Sequence, residues 1–278
     1  MTKGFKKSWR LVLITMIVII LFSLFGSLPI FGRRRYIVSI MAEMSIFFPV
    51  IVGLHHIQKK EDVRDIFSNG FSPVIIPLLV ILPFCLQTFI TYVTLPYHGI
   101  LSELVGEYES HVYPANSLKS FIVQLVSVCI VPAVAEEFLF RGVMMRFLKP
   151  YGVGTALVVS SLAFAMMHFD LYTFLIIFML GMLLGAVRIM TGSVWASVLM
   201  HFSNNFTSIL MLMIPKNIEN QVGMILNPVS FIVFPLAFCL LLKNTSEIQP
   251  ERIRRKTEFS YEMIICIGVF CLISVLSI

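Results

Sequence analysis

The amino-acid sequence predicts an all-α, polytopic transmembrane helix bundle of eight or nine spans. Three observations carry that expectation. Of 278 residues, 58% are hydrophobic and 13% charged, about half the charged share of a soluble domain. Mean hydropathy is +0.92. The apolar residues fall in long runs, not in alternating or amphipathic stripes. A run of about 20 apolar residues crosses the hydrocarbon core as a helix, and lipid offers no water to an open backbone.

The runs cover roughly 11–31, 36–54, 71–95, 120–147, 153–169, 171–190, 194–214, 226–242 and 261–278. The first follows Lys3, Lys6, Lys7 and Arg10 and resembles a signal peptide. It is too long for one and lacks a small-residue cleavage site before Gly32-Arg33, so it reads as a retained first span. The second run holds Glu43, for which the sequence offers no partner. The fourth contains Pro132 and the sixth Gly181, both tolerated in membrane helices. Only Asp170 separates the fifth from the sixth, which leaves the count at eight or nine. The polar stretches 55–70 and 96–119 read as loops. His55 and His56 are adjacent, and no helical spacing turns both toward one ion. Glu103, Glu107, Glu109 and His111 form no ligand pattern either.

Charge sets the expected orientation. With a cytoplasmic N-terminus and nine spans, 16 of the 21 Lys and Arg fall on the cytoplasmic side, which satisfies the positive-inside rule. Arg33, Arg34 and Arg35 are the exceptions that stand out. The net charge of +6 is therefore a matter of topology and implies no nucleic-acid partner. Cys85, Cys129, Cys239, Cys266 and Cys271 all lie in apolar runs without CxxC spacing, so they read as packing residues.

Ionisable residues inside spans cost about 2.5–3.5 kcal/mol each at a helix centre and mark functional positions. They gather in three runs. In Glu136-Glu137-Phe138-Leu139-Phe140-Arg141, Glu137 and Arg141 are i and i+4 and share a helix face. Glu136 points about 100° away, without a local counter-ion. A desolvated, unpaired carboxylate holds a proton more tightly, which suits a general base. His168 ends the run 153–169. His201 and Asn205, again i and i+4, lie in the run 194–214. A carboxylate with two histidines resembles a catalytic-water site or a metal site. Taken singly, each is equally a structural pair or a polar contact between helices. Straight helices rising ~1.5 Å per residue would place Glu136, His168 and His201 at depths more than ~10 Å apart. A broken helix near Pro132, or tilting, is expected to reconcile them.

Glu136-Glu137-x-x-x-Arg141, Phe164-x-x-x-His168 and His201-x-x-x-Asn205, in this order on separate spans, resemble the CAAX-protease and bacteriocin-processing family of intramembrane peptidases. The resemblance implies N-terminal spans over 1–119, a peptidase core over 120–212 and C-terminal spans over 213–278, with the active site in the central spans. It implies peptide-bond hydrolysis near the membrane interface, either CAAX-tail removal or maturation of a peptide such as a bacteriocin. Glu136 and His168 would activate water. His201 and Asn205 would stabilise the oxyanion, and Glu137, Arg141 and Phe164 would support them. Glu136, His168 and His201 are also a plausible set for one divalent metal such as zinc, although Glu and His around water work without one. No His-Glu-x-x-His is present. The implied partners are a membrane-associated peptide or protein substrate and the lipid bilayer, and the implied location is the bacterial plasma membrane. Two other classes compete. A non-catalytic regulator or immunity protein could keep the fold, whereas a transporter would show repeated halves with matching broken helices, and none is seen.

Overall fold

The computed structural model describes residues 3–26, 28, 35–58, 63–106, 114–245 and 260–276. Its regular structure among these is helical, with no strand. In chain order the helices are α1 (Lys3–Gly26), α2 (Arg35–Ser45), α3 (Phe47–Gln58), the one-turn α4 (Arg64–Ser68) and α5 (Ile76–Val105). They continue with α6 (Leu118–Gln124), α7 (Val131–Glu137), α8 (Met145–Leu148), α9 (Val153–Met166) and α10 (Leu171–Thr191). The last three are α11 (Val194–Leu212), α12 (Lys216–Lys243) and α13 (Tyr261–Leu276).

Among the described residues, six helices are long and apolar enough to cross a membrane, where the sequence suggested eight or nine. They are Gly4–Phe25, Ile40–Gln58, Pro73–Ile90, Leu118–Tyr151, Leu171–Thr191 and Ile225–Lys243. The difference lies in three helices. Val153–Met166 and Tyr261–Ser274 are apolar but shorter. α11 carries the polar run Ser203-Asn204-Asn205 and falls outside the six. With so much apolar helix, the chain is an integral membrane protein. Two expected loops are shorter than read. His55 and His56 sit in the last turn of α3, where His56 Nδ1 donates to the Val52 carbonyl at 2.8 Å. Residues 96–105, Glu103 included, continue α5. Arg33, Arg34, Lys59 to Asp62, Glu107, Glu109, His111 and the basic residues 252–256 lie outside the described residues.

The central helix, Leu118–Tyr151, positions the site. Ser117 caps its start by accepting from the Ser120 amide at 3.2 Å. Its winding then changes twice: Leu125–Ile130 and Phe138–Met144 are π-helical, and α7 lies between them. Pro132, in the first turn of α7, explains part of this. It has no N–H for the carbonyl four residues back, that of Val128. Asn205 Nδ2, from α11, donates to this carbonyl at 2.8 Å. A proline thus leaves a backbone acceptor open in the central helix, and a neighbouring helix fills it. π turns of this kind are frequent at functional sites.

Around the central helix, α9 and α10 pack closely on one another, α11 packs on α5 and α7, and α2 packs on α7. Gly181 in α10 makes the first contact tight. A Cβ there would lie 3.1 Å from Ser161 Cβ and 3.2 Å from Phe164 Cδ1. Gly181→Ala is therefore expected to cost about 1–3 kcal/mol by overpacking, read as a lower unfolding temperature in detergent. An unchanged temperature would mean that α9 and α10 can part without loss. At the other end of the chain, Arg10 in α1 pairs with Glu262 in α13 at 2.8 Å, which ties the terminal helices together.

Candidate active site

The two adjacent glutamates sit in the last turn of α7 and have different surroundings. Glu137 is fully buried and Arg141 is 1% exposed. Arg141 Nη1 donates to Glu137 Oε1 at 2.9 Å, and Nη2 donates to the Gly181 carbonyl at 2.9 Å. The guanidinium also lies 4.5 Å from the centre of the Phe164 ring, within cation–π range. The expected i,i+4 pair is therefore present, and it is anchored to α9 and α10. Glu136, 9% exposed, is the one of the two that remains reachable. Its Oε2 is buried and has no hydrogen-bond partner among the described residues.

Glu137 has a second role that sequence spacing does not show. Its Oε1 also accepts from His201 Nδ1 at 3.0 Å. Because a carboxylate only accepts, the His201 proton must sit on Nδ1, and Nε2 is turned toward Glu136 Oε2, 3.9 Å away. A carboxylate that fixes the tautomer and orientation of a working imidazole is a recurring device in hydrolases and metal sites. His201 itself is buried in α11.

His168 lies beyond the end of α9 and is the exposed member of the set. Its Nδ1 is 3.0 Å from the Phe164 carbonyl, so it too carries its proton on Nδ1 and presents Nε2. The next residue, Phe169, has φ +51, a left-handed conformation that is uncommon outside glycine. It reverses the chain so that Asp170 can cap α10, accepting from the Tyr172 amide at 2.8 Å. The end of α5 braces this turn. The Tyr97 hydroxyl donates to the Leu171 carbonyl, and His98 Nε2 donates to that of Tyr172 at 3.1 Å.

Phe164 joins the two histidines. Its ring packs edge-on against His168 with centroids 5.2 Å apart and against His201 at 5.6 Å. Glu136, Glu137, Arg141, Phe164 and His201 thus form one contiguous buried group, with His168 packed on Phe164. Asn205, one turn beyond His201, gives one amide N–H to Val128 and accepts from Asn204 Nδ2 at 3.1 Å through its oxygen. Glu136 and His201, expected at different depths, come within 3.9 Å of one another, and His168 lies beyond the end of α9.

One group escaped assignment in the sequence. Glu43, in α2, has a buried Oε2 with no hydrogen-bond partner among the described residues, and its carboxyl acts electrostatically on that of Glu136. A carboxyl in an apolar run signals function, but only the packing of α2 on α7 supplies its neighbour. Replacing an unsatisfied buried polar group by an apolar one of similar shape is nearly neutral or stabilising. Glu43→Leu should therefore unfold at or above the wild-type temperature. A clear loss of stability would mean that Glu43 has a structural partner.

Among the described residues, no three His, Cys, Asp or Glu side chains are gathered into a set that could hold a metal ion. Glu136, His168 and His201 do not meet that requirement in this geometry.

Fold and cluster together define a polytopic membrane protein with a buried carboxylate–imidazole site. Residues 118–207 match the family model described as Type II CAAX prenyl endopeptidase Rce1-like. The matched stretch starts with α6 and contains all three motifs, in agreement with the resemblance read from the sequence. No curated protein and no solved structure matches the chain.

Proposed function

We propose that the protein is an intramembrane endopeptidase of the CAAX type, in which Glu136 and His168 activate a water molecule. The observation that carries this reading is the convergence of the three motifs, from separate helices, on one buried group within the matched residues 118–207. Glu136 accepts a proton from water as its oxygen adds to the scissile carbonyl, and His168 Nε2 helps to align that water. As the C–N bond breaks, the proton passes to the leaving amine. General-base catalysis of this kind contributes about 10²–10⁴-fold.

The oxyanion needs donors already in place. Asn205 keeps one amide N–H beyond the one given to Val128. His201 offers only a lone pair at Nε2 while its single proton stays on Nδ1, so it donates to an oxyanion only as an imidazolium. The Glu137 carboxylate at Nδ1 fixes the orientation of the ring, as the buried aspartate does for the histidine of a serine-protease triad.

The test is cleavage of a prenylated CAAX-tailed peptide by the full chain in lipid vesicles, beside an unprenylated peptide and a His168→Ala control. Cleavage of the prenylated peptide that is lost in His168→Ala supports the CAAX reading. Cleavage of both peptides favours peptide maturation, such as that of a bacteriocin. Equal, residual signals from wild type and His168→Ala would leave the regulator or immunity reading in place. A chelator added to active vesicles, followed by zinc, tests for a metal held by Glu136, His168 and His201.

A further inference from the structure

Arg141 also lines a cavity of about 220 Å³. Its lining includes four cationic residues from two stretches of chain: Arg141, Arg146 and Lys149 along the central helix, and Arg188 in the last turn of α10. Ile66 and Val153 supply apolar wall, and none of the described lining residues is acidic. Arg141 lines it with a side chain wholly buried, and its Nε is a buried donor without a hydrogen-bond partner among the described residues. A lining rich in cationic side chains favours an anion over a cation. The cavity stands at the ends of two membrane-crossing helices, Leu118–Tyr151 and Leu171–Thr191, on the side that the Lys and Arg distribution assigns to the cytoplasm. Basic pockets between helices on that side suit lipid headgroups that carry phosphate.

We propose that this cavity is an anion site and that it takes the phosphate of an anionic lipid headgroup. The volume is that of about seven waters at ~30 Å³ each, enough for a phosphodiester while the acyl chains stay in the bilayer. Arginine suits this task because its planar fork of donors matches phosphate oxygens. The same Arg141 holds Glu137, which in turn holds His201. A headgroup in the cavity would therefore sit one residue away from the carboxylate that orients the site.

The test is native mass spectrometry of the full chain in mild detergent, titrated with phosphatidylglycerol or with phosphatidylcholine. The variants are Arg146→Gln/Arg188→Gln, Lys149→Gln and the charge-keeping Arg146→Lys/Arg188→Lys. None of these positions belongs to the catalytic group, and Lys149 is exposed, so its replacement leaves the fold intact. The expected result is saturable retention of phosphatidylglycerol over phosphatidylcholine. Retention should fall about fivefold for each charge removed and persist in the lysine variant. Inorganic phosphate that displaces the lipid at similar concentration supports the anion site but makes free phosphate its ligand. Equal retention by wild type, Arg146→Gln/Arg188→Gln and Lys149→Gln overturns the proposal. So does displacement by a peptide with a free C-terminal carboxylate and not by its amide, which would make the cavity a substrate subsite. The measurement needs no cleavage, so it stands apart from the endopeptidase reading.

Discussion

Glu136→Gln is expected to lower the turnover of the proposed cleavage by about 10²–10⁴-fold, with membrane insertion and unfolding temperature unchanged. The substitution keeps size and polarity and removes the ability to take a proton from water. Stability should hold because Glu136 makes no ion pair of the kind that Glu137 makes with Arg141. His201 Nε2 lies 3.9 Å from its Oε2. Turnover in reconstituted vesicles, set beside a melting curve of the same preparation, separates the two effects. A Glu136→Gln protein that cleaves at wild-type rate would remove Glu136 from the base role and direct attention to Glu43 or His168. Glu137→Gln should behave differently. It keeps an acceptor for His201 but gives up the charge opposite Arg141, so it should lose both stability and turnover.

Arg141→Leu is expected to destabilise the protein by about 3–5 kcal/mol, the usual cost of removing one member of a buried ion pair. It leaves Glu137 charged at a fully buried position, removes the hydrogen bond to the Gly181 carbonyl and takes a cation from the face of Phe164. The double variant Glu137→Leu/Arg141→Leu should recover much of that loss, since replacing a whole buried pair by apolar residues is often neutral or stabilising. It should remain inactive, because His201 then lacks the carboxylate that fixes its proton on Nδ1. Thermal unfolding of the two variants beside wild type measures the difference. If the double variant is no more stable than Arg141→Leu, the pair does not act as one unit.

Much of the site could be read from the sequence because membrane spans make polar residues conspicuous. Glu137 with Arg141 and His201 with Asn205 follow from a helical period of 3.6 residues, and the structure shows the first pair in contact. Contacts across helices were not legible, since periodicity describes one helix at a time. The His201–Glu137 bond, the packing of the Glu43 helix on α7 and the bracing of the His168 turn by Tyr97 and His98 all depend on tertiary structure. The span count of eight or nine is met only in part, with six helices long and apolar enough among the described residues. A hydropathy run does not report where a helix ends, so 153–169 read as one span although α9 stops at Met166 to free His168. The π turns were not legible either, because neither Leu125–Ile130 nor Phe138–Met144 carries a sequence mark of π winding, and Pro132 announces only a break.

The open carbonyl of Val128 has a consequence for how this chain can vary. Pro132 withholds a donor, and Asn205 returns one from another helix. The two positions therefore act as a donor-for-donor exchange. A residue with its own N–H at 132 would compete for Val128 and release the Asn205 amide to rotate. Substitutions at 132 and 205 should thus be tolerated together more readily than apart, and a proline that touches no substrate would set the aim of the amide one turn beyond His201.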